Sequence, residues 1–265
     1  MQILKIKFIL ILLQVSLLAI SCNKDNQDIP QIDVYVESLC PDCQNFIKDS
    51  FSLFLKNPSF SQLAKVNFIP FGNAKENKVG DKYEFTCQHG PNECYGNTVN
   101  NCALSKLSYE NGLNFMVCFD GAIVKFSKDV KKALEECIEN QQLHDDIISC
   151  ADNMEGNNLM HIAAQKTPEH KYVPWIHFNG KHDIDIENRI LSDMNEYLCS
   201  LNFKNASSEN KSHSFLPGCE EYLMKNFLTS SFSFKQKDDD KKDINQSIIS
   251  FFIGIYDKIR KFLEF

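Results

Sequence analysis

Two cysteines in SLCPDCQNF, separated by two residues, are the side chains of this chain best suited to do chemistry. Cysteine sulfur reacts as the thiolate, and the free backbone amides of a helix's first turn stabilise that anion. Ahead of the pair, IDVYVESL alternates Ile32, Val34 and Val36 with polar neighbours, which reads as a strand. Behind it, Phe46, Ile47, Phe51, Phe54 and Leu55 recur at helical spacing, with the helix expected to end before Pro58. Pro41 suits the first helical position and Cys40 its cap. A strand, Cys-X-X-Cys and helix in that order are an arrangement for thiol–disulfide exchange. Cys40 attacks, and Cys43, one turn on and buried, resolves the mixed disulfide by attacking Cys40. The competing readings are a structural disulfide and half a zinc site. Zinc wants a second ligand pair of similar spacing, and Cys87-Gln88-His89 leaves a single residue between its ligands, so no metal is expected.

A second constellation is CQHGPNECYGNTVNNC, residues 87–102. Asn-Glu-Cys and Tyr-Gly-Asn supply turn residues, which predicts a loop cross-linked by its cysteines. A third is Val173-Pro174, just ahead of WIHFNGK. In a thioredoxin-like arrangement such a proline is expected in the cis form, facing the Cys-X-X-Cys, with its neighbour's backbone free to hydrogen-bond an extended substrate. An ordinary trans proline at a strand start is the alternative.

The elements that must hold these residues follow from periodicity. KVNFIPFG (65–72) reads as a second strand. Residues 104–165 carry helical patterns, with interruptions expected near Asp120-Gly121 and Glu155-Gly156. VPWIHFNGKHDIDI reads as a hairpin about Asn179-Gly180, the dipeptide suited to a two-residue type I′ turn, and ENRILSDMNEYLCSL as a closing amphipathic helix. The sum is an α/β, thioredoxin-like, disulfide-rich domain over residues 31–220 with a helical insertion at about 104–165.

The ends read differently. Lys5 and Lys7 precede FILILLQVSLLAIS, the layout of a secretory signal peptide over residues 1–21 and shorter than the roughly 20 residues of a membrane span. A signal anchor is the alternative. Without residues 1–21 the formal net charge moves from −7 to −9, since that stretch holds two lysines and no acid. Such a chain has no electrostatic reason to bind nucleic acid. Of eleven cysteines, Cys22 sits at the cleavage boundary, and the ten that remain favour disulfides in an exported protein. The eight outside the pair allow 105 pairings. Cys199 and Cys219 flank the end of the closing helix and would close a loop worth about 3 kcal/mol. Asn205, Asn210 and Asn245 head Asn-X-Ser glycosylation sites, whereas Pro58 excludes Asn57. Residues 229–265 join the charged run KQKDDDKKD to an amphipathic helix bearing Ile248, Phe252, Ile255, Ile259 and Phe262. That helix packs on its own domain, or meets a membrane surface or a protein partner.

CQHGPNECYGNTVNNC resembles the signature of the gamma-interferon-inducible lysosomal thiol reductase family: Cys-Gln-His-Gly, two residues, Glu-Cys, two residues, Asn, four residues, Cys. The match places Cys87, Gln88, His89, Gly90, Glu93, Cys94, Asn97 and Cys102 on the motif. YVPWIHFNGK, LMHIAAQKT and the structural-disulfide candidates Cys118, Cys137, Cys150, Cys199 and Cys219 are similar too, so the likeness spans roughly residues 31–220. The resemblance implies a thioredoxin-like fold and reduction of protein disulfides in acidic endosomal or lysosomal compartments. Asp42 adds a negative charge beside the sulfur that must ionise, and the lysine- and aspartate-rich tail is no part of the family's core.

Acid poses a chemical problem. A thiol of pKa near 8.5 is only about 0.03% ionised at pH 5. Bringing it to about 6 raises that to roughly 10% and takes about 3.4 kcal/mol. A helix terminus supplies about 0.3–2 kcal/mol, and Asp42 works against it. His89, charged at pH 5, is the extra cation expected near Cys40; a purely structural signature is the alternative. The whole reads as a secreted or endo-lysosomal thiol oxidoreductase using Cys40, Cys43, Val173 and Pro174. Its expected partners are disulfide-bonded protein substrates, and its electrons come from an external thiol without metal or nucleotide cofactor. The rivals are a secretory-pathway disulfide oxidase or isomerase, and an interaction protein on the same scaffold with vestigial exchange activity.

Overall fold

The computed structural model describes residues 29–57, 60, 63–208, 218, 219 and 222. The expected signal peptide (1–21), Cys22, Asn210, Asn245 and the tail at 229–265 lie outside the described residues, as does the side chain of Asn205. Strand β1 (Gln31–Val36) forms the centre of a three-stranded sheet. Strand β2 (Lys65–Pro70) lies parallel on one side, with Val34 beside Phe68; β5 (Trp175–Phe178) lies antiparallel on the other, with Val34 opposite Ile176. The alternation sends β1 residues to two faces. Ile32, Val34 and Val36 join Phe46, Ile47, Phe51 and Phe54 in the main core, while Tyr35 joins Ile69, Met160 and Trp175 in a smaller one.

After the sheet's first strand the helical pattern divides into three: α1 (Pro41–Phe46), a π-helical turn (Ile47–Phe51) and α2 (Ser52–Lys56). The turn is tied to the closing helix α8 (Ile184–Ser208), where Ser50 donates to the Ile190 carbonyl at 2.7 Å and accepts from the Met194 amide at 3.0 Å. That anchorage sits at the kink of α8, whose Asp193 has φ −158° and ψ 93°.

Several local expectations are corrected. Strands β3 (Lys75–Val79) and β4 (Lys82–Thr86) form an antiparallel hairpin that the pattern did not announce, because β3 is exposed at every position. Residues 91–102 are not a loop. They begin α3 (Pro91–Lys106), where Pro91 starts the helix and its weak helix formers Asn97, Thr98 and Asn100 are buried. Tertiary packing overrides propensity there. Helix α4 (Tyr109–Lys125) runs unbroken through Asp120-Gly121. Then come α5 (Val130–Cys137), α6 (Gln141–Asp152) and α7 (Met154–Lys166); the interruption expected near Glu155-Gly156 falls at Asn153, and Gly156 itself lies inside α7. It permits close approach instead: a Cβ there would lie 2.6 Å from the Cys150 carbonyl oxygen and 2.8 Å from Thr98 Cγ2. The expected second strand after Asn179-Gly180 shrinks to one bridge, Phe178 to Lys181. The turn itself has the positive φ values of a type I′ turn, 50° and 77°. Asp183 then ends any strand by accepting from the Asp185 and Ile186 amides at the start of α8.

Four disulfides join Cys87 to Cys94, Cys102 to Cys150, Cys118 to Cys137, and Cys199 to Cys219. Among the described residues no helix is long and apolar enough to cross a membrane.

Candidate active site

Cys40 and Cys43 carry free thiols, 6% and 0% exposed. Cys40 is the N-cap of α1 with extended backbone (φ −76°, ψ 121°), and Pro41 follows inside the helix. Its thiol is pulled down to about 6, first by the hydrogen bond from the Cys43 side chain and then by the Cys43 and Asp42 backbone amides. Burial and the Asp42 carboxylate oppose that fall. Cys43 moves the other way: burial, and after it the bond to Cys40, push its thiol well above the ordinary value. One sulfur is thus prepared to ionise and the other to hold its proton.

The peptide bond Val173–Pro174 is cis. The Cys40 thiol donates to the Val173 carbonyl at 3.8 Å, which brings the sequence-predicted residues Cys40, Cys43, Val173 and Pro174 together. Buried Glu187 fixes the strand that follows, accepting from the Ile176 amide at 2.8 Å and from the Tyr172 hydroxyl at 2.6 Å. A cleft of about 380 Å³ opens beside the pair, lined by Asp42, Asn45, Phe46, Tyr172, Val173 and Pro174.

The signature residues gather behind the pair, and His89 among them is engaged by two acids. Its Nδ1 lies 2.5 Å from Glu93 Oε2 and 3.7 Å from Glu37 Oε2, and its amide donates to Glu93 Oε1 at 2.9 Å. The groups named as lowering the Cys40 thiol are the Cys43 side chain and the Cys43 and Asp42 backbone amides. Gln88 accepts from the Asn73 side chain at 2.7 Å, and the Asn73 amide donates to Glu37 at 2.5 Å. Asn97 accepts from the Ser38 amide at 2.8 Å, and the Ser38 hydroxyl donates to the Glu93 carbonyl at 3.1 Å. Together the signature cradles Glu37 and Ser38, the residues that lead the chain into Cys40.

Burial, then the Glu93 charge, push the Glu37 carboxyl up to about 7. Glu37, His89 and Glu93 bring ligand-type atoms within 4.8 Å of one another. His89 Nδ1 is engaged by Glu93, which makes the group a hydrogen-bonded cluster in this structure.

Three buried acids escaped the sequence reading: Glu37, Asp120 and the Glu187 described above. Glu37 is 1% exposed and Asp120 4% exposed. The available signal was an acid in each otherwise apolar run, VYVESL for the first and FMVCFDGAIV for the second.

Comparison with known proteins follows the same lines. Residues 31–141 match the family described as gamma interferon inducible lysosomal thiol reductase (GILT). The chain is 33% identical over 190 residues to the gamma-interferon-inducible lysosomal thiol reductase of Carassius auratus, covering 68% of this chain and 71% of that protein. It is 35% identical over 159 residues to the Mus musculus protein of the same name, covering 57% and 61%. GILT-like protein 1 of Drosophila melanogaster is 30% identical over 184 residues, covering 63% and 73%.

Proposed function

The chain belongs to the gamma-interferon-inducible lysosomal thiol reductase family, and from that premise we propose that it reduces protein disulfides through Cys40 and Cys43. One observation carries the assignment of the site: a free, acidified thiol at a helix start lies 3.8 Å from the carbonyl that precedes a cis-proline. Cys40 attacks the substrate disulfide as a thiolate, and Cys43 then attacks Cys40 and releases the reduced product. Val173 and Pro174 hold the substrate as an extended segment along the cleft beside Asp42 and Tyr172. The fold is thioredoxin-like on this reading, supported by the parallel β1–β2 pair that brackets the redox helix and by the antiparallel strand β5 after Pro174.

Residues 31–220 form the reductase unit with its helical insertion. Residues 1–21 direct export, and the charged and amphipathic sequence at 229–265 serves the domain's own surface, a membrane surface or a protein partner. The working compartment is an acidic endosome or lysosome, or the space outside the cell. A thiol with pKa of about 6 keeps roughly 10% of its sulfur ionised at pH 5, enough for attack there. The sites need no metal or nucleotide; an external thiol returns Cys40 and Cys43 to the reduced state.

The test is disulfide reduction of a model protein substrate at pH 5 and pH 7, with Cys43→Ser added to trap the intermediate. Turnover at pH 5 and a mixed disulfide on Cys40 of the trap variant are expected. Absence of both overturns the assignment.

A further inference from the structure

Three segments of the chain converge on one imidazole. Glu37 follows β1 directly, His89 precedes α3, and Glu93 lies in the first turn of α3. Each carboxylate is held by one oxygen and offers the other. Glu37 Oε1 accepts from the Asn73 amide at 2.5 Å, and Glu93 Oε1 from the His89 amide at 2.9 Å. Both Oε2 atoms turn toward His89 Nδ1, at 3.7 Å for Glu37 and 2.5 Å for Glu93. A ring nitrogen with one hydrogen or one lone pair serves only one of them well. Glu37 Oε2 is left buried with no hydrogen-bond partner among the described residues, on a side chain 1% exposed. An orphaned carboxylate oxygen in the interior is costly, and its retention asks for a ligand. Charge points the same way: two buried carboxylates beside a neutral imidazole are balanced in full by one divalent cation.

We propose that Glu37 Oε2, His89 Nδ1 and Glu93 Oε2 form a binding site for a zinc ion, with water as the fourth ligand. One imidazole and two carboxylates are a donor set zinc accepts, and three protein ligands with one water make an open tetrahedral site. Bonds of about 2.1 Å place tetrahedral ligand atoms roughly 3.4 Å apart. Glu37 Oε2 already stands near that distance from Nδ1. Glu93 Oε2 exchanges its hydrogen bond for the metal and swings outward by about 1 Å.

The shell behind the ligands is built to hold them. Gln88 accepts from the Asn73 side chain at 2.7 Å, steadying the residue whose amide holds Glu37. Gly72, at φ 58°, closes on Glu37 so tightly that a Cβ there would lie 2.2 Å from Glu37 Cγ. The Cys87–Cys94 disulfide spans the segment that carries both His89 and Glu93. The His89 side chain is 28% exposed, which gives the ion a way in. The ion takes no part in thiol exchange. It ties the signature segment to the residue that leads into the redox pair, and the inference stands apart from the reductase reading.

The test uses the full chain in its oxidised form, because a Cys40–Cys43 disulfide leaves no thiolate there to take zinc. Zn²⁺ is titrated at pH 7.5 against a chromophoric chelator, and thermal unfolding is followed with and without it. Crystals grown with Zn²⁺ are measured at the zinc absorption edge. One bound equivalent, a rise in Tm, and an anomalous peak about 2.0–2.2 Å from the three named atoms are expected. Glu37→Gln and His89→Gln should each weaken that equivalent by at least about 100-fold, beyond the 10–100-fold usual for an outer-shell change, and abolish the rise in Tm. Zinc found only on other side chains marks an adventitious ion only and overturns the proposal, as does unchanged affinity in both variants. Should neither variant fold, the wild-type peak decides by its presence or absence at the cluster. Loss of disulfide reduction, by contrast, would sink the reductase reading and leave this site standing.

Discussion

The sheet half of the molecule, residues 31–86, and the helical block, residues 91–166, use cysteine in opposite ways. Among the described residues the sheet half holds Cys40 and Cys43, both free, at the start of one helix. The block holds Cys94, Cys102, Cys118, Cys137 and Cys150, every one bonded. The difference tracks what else each half has to hold it together. The sheet half packs Ile32, Val34, Phe51 and Phe54, each at most 1% exposed, into the main core and holds no disulfide within itself among the described residues. The block is built on α3, which buries Glu93, Asn97, Thr98 and Asn100 and so gains little from apolar burial. Both bonded cysteines of α3 sit among these polar residues, Cys94 tied to Cys87 and Cys102 to Cys150. The ties nonetheless reach the apolar interior, since Cys102 and Cys150 share one core with Phe51, Phe119 and Leu134, and the free pair is the one placed beside a cleft.

The sharpest way to break that comparison is to cut the longest tie. Cys102→Ala with Cys150→Ala opens a link of sequence separation 48 and should remove about 4 kcal/mol, lowering Tm by roughly 10 °C. A Tm within about 2 °C of wild type would show that the block does not depend on the link. Phe51→Ala, in the sheet half, should lose about 3 kcal/mol in urea unfolding, because a fully buried ring is replaced by a cavity. Removing the half-buried link through Cys87→Ala and Cys94→Ala, with sequence separation 7, should remove only about 2 kcal/mol. Glu37→Gln should change the pH dependence of stability more than its size. The native state raises the Glu37 carboxyl from 4.5 to about 7, so the stability linked to its proton is fully present below about pH 4.5 and is lost as pH rises through about 7. In the variant the fall in Tm between pH 5 and pH 7.5 should shrink, and an unchanged fall would place the acid-favouring group elsewhere.

The sheet half was legible in the sequence for the reason it is stable. Ile32, Val34 and Val36 alternate because one face of β1 is buried, and Pro41 marks the helix start because its ring suits the first turn. The redox pair and Val173-Pro174 could be placed from that frame alone. The exposed β3–β4 hairpin left no such trace, since neither face of β3 meets a core. Helix α3 read as a loop because its asparagines and glycine are poor helix formers, and only contacts with distant elements such as Ser38 and Cys150 make it a helix. His89 was expected beside Cys40 because acid chemistry wants a cation there. The fold sets the His89 ring against two buried carboxyls, Glu37 and Glu93, that no spacing rule could have brought together. Asp120 was passed over as part of an apparent helix break, when it is an acid on the buried side of an unbroken helix.

The π-helical turn at Ile47–Phe51 has a consequence for how the redox helix answers to its surroundings. One extra residue per turn rotates everything beyond it by about 100° relative to a regular helix. Upstream, Cys40 is phased to face Val173; downstream, Phe54 is phased to the hydrophobic interior. The turn works as a gear tooth between these two settings, and deleting a single residue within it would force one end of the helix out of step with its neighbours.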